Sequence, residues 1–81
     1  MSDKEIFDRL LAILKNDLTV HCAITENTAL IEEGILDSMD VVSYITRVEE
    51  SFSVEISNAD FDEQKLGSVM NMVAYLKMKV G

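Results

Sequence analysis

The sequence predicts an all-α domain: a small antiparallel four-helix bundle of three longer helices and one short one, with a long loop between helices one and two. Three observations predict it. None of the 81 residues is proline, the residue most disruptive to a helix interior. Good helix formers run along most of the chain. Apolar residues recur at spacings of three and four in three separate stretches, the period of helices that bury one face. A chain of this length folds as a single domain, residues 1–81. It buries only about two-thirds of its unfolded surface, which leaves little room for an enclosed catalytic pocket.

Ser2 and Glu5 stand three apart, the spacing of a capping box at a helix start. Ile6, Phe7, Leu10, Leu11, Ile13 and Leu14 then share one arc, with Glu5, Asp8, Arg9, Ala12, Lys15 and Asn16 opposite; this predicts an amphipathic first helix over residues 3–16. From Asp17 to Asp37 the period is lost, and polar Thr19, His21, Thr25, Glu26, Asn27 and Thr28 alternate irregularly with apolar residues. So long a connection in a small domain is expected either to be functional or to hold a short helical turn. Leu18, Val20, Ile24, Leu30, Ile31, Ile35 and Leu36 must then pack down onto the helices.

The second helix is predicted from Ser38 to Phe52. Tyr44, Ile45, Val48 and Phe52 all lie within about 60° of Val41 around the helix, and these five are the expected core face, each stabilising the fold by roughly 1.5–3 kcal/mol if fully buried. The opposite face holds Met39, Ser43, Thr46, Arg47 and Glu50, with Asp40 at its edge. Met39, a flexible thioether off the core stripe, suits a surface that accepts several partners, or else covers the end of the bundle. Ser53 to Ser57 forms an extended link around Val54 and Ile56. The acidic run after it lacks the glycine and glutamate that a calcium loop needs at its sixth and twelfth positions. No metal is expected there; a short third helix with Phe61 pointing inward accounts for it better. Gly67 and Ser68 break the pattern, and Val69, Met72, Val73, Leu76 and Val80 predict a fourth helix over residues 68–79, with Ser68 as its cap and Lys77 and Lys79 complementing its dipole.

Fifteen acids against seven bases give a net charge of −8. That argues against nucleic acid or an anionic membrane as a partner, because phosphate contacts need Lys and Arg. Basic protein surfaces fit better, although such a charge also serves plain solubility. An apolar content of 48% with 27% charged residues is that of a globular chain. Cys22 is the only cysteine, so no intramolecular disulfide and no cysteine-rich metal site is possible; it and the neighbouring His21 are expected to be structural or incidental. Lys4, Asp8, Arg9 and Lys15 interrupt the first apolar run, which rules out a signal-peptide core or membrane span there. A cytoplasmic monomer is expected.

The stretch Glu32, Glu33, Gly34, Ile35, Leu36, Asp37, Ser38, Met39, Asp40 organises the chain. A glycine-bearing loop turns into a helix start, where Asp37 or Ser38 serves as N-cap. From Asp37 through Ile56 these residues resemble the acyl and peptidyl carrier protein family without a gap. The resemblance rests on Gly34, the Asp37-Ser38-Met39 triplet, the pair Glu49 and Glu50, then Phe52 and the run Val54, Glu55, Ile56. Lys65 to Leu76 is similar to the family's last helix, so the likeness covers roughly residues 5–78.

The resemblance implies that Ser38 carries 4'-phosphopantetheine, transferred from coenzyme A by a phosphopantetheinyl transferase that Asp37 helps to engage. It implies a partner-binding face made of Asp37, Met39, Asp40, Ser43, Thr46, Arg47 and Glu50. The implied partners are that transferase, an enzyme that loads an acyl or aminoacyl group, and a downstream synthase or transferase. Ser43 stands where fatty-acid carriers usually have an acid, Thr46 where they have an apolar residue, and Arg47 lowers the local acidity. Glu32 to Met39 and the Phe61, Asp62 pair look more like D-alanyl carrier proteins and free-standing nonribosomal peptide or polyketide carriers. No His stands near Ser38 in sequence, so the serine is expected to be a substrate and the chain not to be an enzyme. The contrasting expectation is an acidic helical interaction module without a prosthetic group.

Overall fold

The computed structural model describes residues 2–18, 20 and 22–80, and His21 lies outside them. Among the described residues the fold is all-helical, with no strand: α1 (Asp3–Ala12) running into a π-helical turn (Ile13–Asp17), α2 (Ser38–Phe52), α3 (Asn58–Glu63) and α4 (Val69–Val80). Its Cα radius of gyration is 11.2 Å, close to the roughly 12 Å expected of a compact chain of this length. Among the described residues no helix is long and apolar enough to cross a membrane.

Ser2 starts α1 by accepting the Glu5 amide at 3.3 Å, while its hydroxyl donates to the Glu5 carboxylate at 3.2 Å. The sequence predicts one α-helix to residue 16, and the structure corrects this. After Ala12 the chain widens, and Leu18 donates to the Ile13 carbonyl five residues back at 3.2 Å. Ile13 and Leu14 stay buried through the change. Five residues are too few for apolar periodicity to separate a π turn from an α turn.

Asp37 caps α2, and Ser53, in the left-handed region at φ 54°, ends it. Tyr44, Ile45, Val48 and Phe52 are buried as expected. Val41 is not a full core residue: it is half-buried against the core and lines a surface groove. Val80, likewise, is only half-buried at the end of α4. Arg9 of α1 lies 5.7 Å from the Phe52 ring centre and donates to the Ser51 carbonyl at 3.2 Å, so a cation meets the negative end of α2.

Ser57 caps the short α3 by accepting the Asp60 amide at 3.0 Å, and Phe61 points into the core. Tyr75 of α4 donates to Asp60 at 3.0 Å. α4 begins at Val69, one residue later than expected, with Ser68 in the cap position giving its carbonyl to the Met72 amide. Lys77 pairs with Asp3 of α1 at 3.0 Å. Val69, Met72, Val73 and Leu76 face inward from this helix.

The connection between α1 and α2 is fastened to the turn before α4. Leu30 donates to the Gly67 carbonyl at 2.8 Å and Val69 to the Thr28 carbonyl at 3.0 Å, an antiparallel bridge between Ala29 and Ser68. Leu30, fully buried, then gives its carbonyl to the amides of Ile35 and Leu36 at 2.9 and 3.0 Å. Gly34 completes this turn at φ 74°, where side-chain-bearing residues are strained. The turn ends one residue before Asp37 and so fixes where α2 begins.

Candidate functional site

Two acids share the work of starting α2. The Asp37 carboxylate accepts the amides of Met39 at 3.0 Å and Asp40 at 2.9 Å, and Asp40 returns a carboxylate oxygen to the Asp37 amide at 3.4 Å. This is a reciprocal capping box. Of the two residues the sequence leaves open as cap, Asp37 takes the role. Ser38 is thereby released from it: the residue is exposed, and among the described residues no hydrogen bond engages its hydroxyl.

The same arrangement limits what the helix start can do electrostatically. Amides at a helix N-terminus attract anions, but here two of them already face a carboxylate. An anion on Ser38 gains little from them and has Asp37 and Asp40 as like-charged neighbours.

Beside Ser38 lies an open groove of about 520 Å³, lined among others by Ile31, Leu36, Val41, Val42, Ile45 and Phe61. Its floor is apolar because Leu36, Ile45 and Phe61 belong to the core.

Met39, Ser43, Thr46, Arg47 and Glu50 are all exposed, and Asp40 is half-buried. Arg47 and Glu50 pair with each other at 3.4 Å. Thr46 turns its hydroxyl back to the Val42 carbonyl at 2.9 Å. Val42, 62% exposed at this face, carries no prediction from the sequence, and Ile31, expected to pack down onto the helices, is instead 46% exposed. The signal for Val42 is an apolar residue placed off the core stripe. Ile31 has none, because a loop has no period against which an outward residue stands out. Cys22 is exposed and unpaired.

One buried group stands apart. The Tyr44 hydroxyl, enclosed in the core, has no hydrogen-bond partner among the described residues, and burial pushes its ionisation above the usual tyrosine range.

α2 thus opens on an exposed serine hydroxyl, set at the end of an anchored turn and beside a groove with an apolar floor. The chain belongs to the phosphopantetheine attachment site family, whose profile matches residues 8–76. It is 33% identical to an acyl carrier protein of Lactobacillus acidophilus over 82 aligned positions covering all of both chains. To an acyl carrier protein of Thermotoga maritima it is 32% identical, over 99% of this chain and 98% of the relative. A D-alanyl carrier protein of Bacillus mycoides is 36% identical over 64 residues, 76% of this chain and 75% of that protein. The chain is a carrier and not an enzyme, and the group it carries is covalently attached 4'-phosphopantetheine.

Proposed function

We propose that Ser38 Oγ is the attachment point, and that the chain holds acyl or aminoacyl intermediates as thioesters for the enzymes of a biosynthetic pathway. The observation that supports it is the division of labour at the start of α2. Asp37 satisfies the helix amides, and Ser38 is left exposed with its oxygen available to a transferase. The attached group supplies the thiol that forms the thioester, and its length raises the local concentration of the load at a partner's active site.

The chain's own residues do the rest. Asp37 and Asp40 cap the first turn of α2, Gly34 and Leu30 set the turn before it, and that end of α2 stands at the surface. Met39, Asp40, Ser43, Thr46, Arg47 and Glu50 form the face that partners cover, with Asp37 engaging the phosphopantetheinyl transferase. Further partners are a loading enzyme and a downstream synthase or transferase, met by a single-domain monomer in the cytoplasm. The pathway is of D-alanyl, nonribosomal peptide or polyketide, or fatty-acid type; the neutral character of Ser43 and Thr46 and the charge of Arg47 favour the first two.

The test is intact mass after incubation with coenzyme A and a broad-specificity transferase. Wild type gains one phosphopantetheine, and Ser38→Ala gains none. An unmodified wild type, or a gain that persists in Ser38→Ala, removes Ser38 from the role.

A further inference from the structure

The last helix carries a ridge that the core does not use. Met70, Ala74 and Met78 follow one another at spacings of four along α4 and are all exposed, Met70 by 53% and Met78 by 87%. Rows of this spacing are the ridges by which helices pack into one another's grooves. The middle member is the smallest, so the ridge dips at Ala74 between two flexible thioethers. A groove runs along each side of it. The one toward α1, about 680 Å³, is lined by Phe7 and Val73, and the one toward α3, about 340 Å³, by Gln64 and Tyr75; Ala74 and Met78 border both. No residue of either groove lines the groove at Ser38.

The charges around the ridge select what covers it. Lys77 is taken up by Asp3 at 3.0 Å, which leaves Glu26 as the remaining charge in the groove toward α1. The groove toward α3 holds Glu63 and Lys65, and Lys79 is drawn over the Tyr75 ring at 5.4 Å. Among the described residues neither the Glu26 nor the Glu63 side chain has an ion-pair or hydrogen-bond partner. The protein as a whole carries −8, so a second copy of it, like a nucleic acid or an anionic membrane, meets net repulsion here. An apolar segment flanked by cations meets attraction.

We propose that the α4 ridge and its two grooves form a docking surface for an amphipathic helix of another protein, one whose apolar stripe is flanked by Lys or Arg. The helix crosses at Ala74, where its backbone comes closest, and sets apolar side chains into the grooves on either side while a basic residue reaches Glu26. Met70 and Met78 adjust around it, as unbranched thioethers do. Because these grooves share no residue with the one at Ser38, a protein held here leaves the start of α2 uncovered. The surface stands on α4 and its neighbours alone and does not require the reading of Ser38.

The probe is a synthetic peptide of leucine and lysine, about 18 residues long, with its leucines three and four apart so that they form one helical face; a peptide of the same composition in scrambled order is the control. Titrated into the full-length protein labelled with nitrogen-15, the amphipathic peptide is expected to shift the amides of Phe7, Met70, Ala74 and Met78 with a Kd below about 1 mM, and to leave those of Ser38 and Met39 in place. The scrambled peptide binds at least about tenfold more weakly, since it presents no continuous apolar stripe. Ala74→Glu weakens the binding about tenfold or more by setting a charge in the middle of the contact. Met70→Glu does so independently, and both variants keep the wild-type melting temperature because both positions are exposed. Met39→Glu, the same change at the start of α2, leaves the Kd within about twofold. No shift at all, shifts centred on Met39 and Val42, equal binding of the two peptides, or binding that survives Ala74→Glu and Met70→Glu overturns the docking surface. So does sedimentation that finds a wild-type dimer and a monomeric Ala74→Glu, because the ridge is then covered by a second copy.

Discussion

At the scale of single residues, Tyr44 is the place where the fold is least content with its sequence. A buried hydroxyl without a partner costs about 1–3 kcal/mol, and the Tyr44 hydroxyl is in that position. Tyr44→Phe is therefore expected to leave the protein as stable as before or to stabilise it by about 1 kcal/mol, seen as an unchanged or higher midpoint in urea. The effect grows in alkali. Burial raises the folded-state ionisation of Tyr44 above the unfolded value of about 10. The folded protein keeps the proton where the unfolded chain has lost it, so stability is intact below about pH 10 and declines as pH rises past it, by about 1.4 kcal/mol per unit for this one group. Denaturation midpoints measured from neutral pH upward fall less steeply in Tyr44→Phe than in wild type. Ser38 shows the opposite economy: its hydroxyl is free because a neighbour has taken over the capping.

At the scale of elements, the turn before α2 depends on one backbone conformation. Gly34 sits at φ 74° with open space around its Cα, so a methyl group there meets no atom and the cost is conformational alone. Gly34→Ala is expected to destabilise by about 1–2 kcal/mol and Gly34→Asn by less, since Asn tolerates the left-handed region; thermal unfolding followed by circular dichroism measures both. The limits of α2 and the inward Phe61 were legible in the sequence because capping residues and a spacing of three and four report directly on local structure. The π turn at Ile13–Asp17 was not, for want of length. Val41 reads as core by angle but lies at the edge of the buried stripe, where the groove beside Ser38 opens. Nor was the Ala29–Ser68 bridge legible: backbone bonds between distant segments leave no trace in side-chain identity. That Ser38 opens α2 was legible from the cap position next to it. The exposure of Ile31 was not, because a loop has no period against which an outward residue stands out, whereas Val42 carries a signal as an apolar residue off the core stripe.

At the scale of the whole molecule, the core joins contributions from α1, the π turn, the long connection and the remaining three helices. Cross-element ties such as Arg9 to Ser51 and Tyr75 to Asp60 lie at the surface of that core and set how the helices meet. A domain this small has little stability in reserve. It is expected to lose its structure as one unit, with helix content and the Tyr signals of Tyr44 and Tyr75 melting together in a single transition.

The bridge between Ala29 and Ser68 makes the two ends of the chain interdependent. The segment that delivers the serine hangs from the residues that open the final helix, through Thr28 to Val69 and Leu30 to Gly67. A chain shortened to end at Gln64 keeps every residue of the modification motif and loses its moorings, so it is expected to be a poor substrate for loading. The serine that opens α2 is held in place by backbone bonds to residues some thirty positions away.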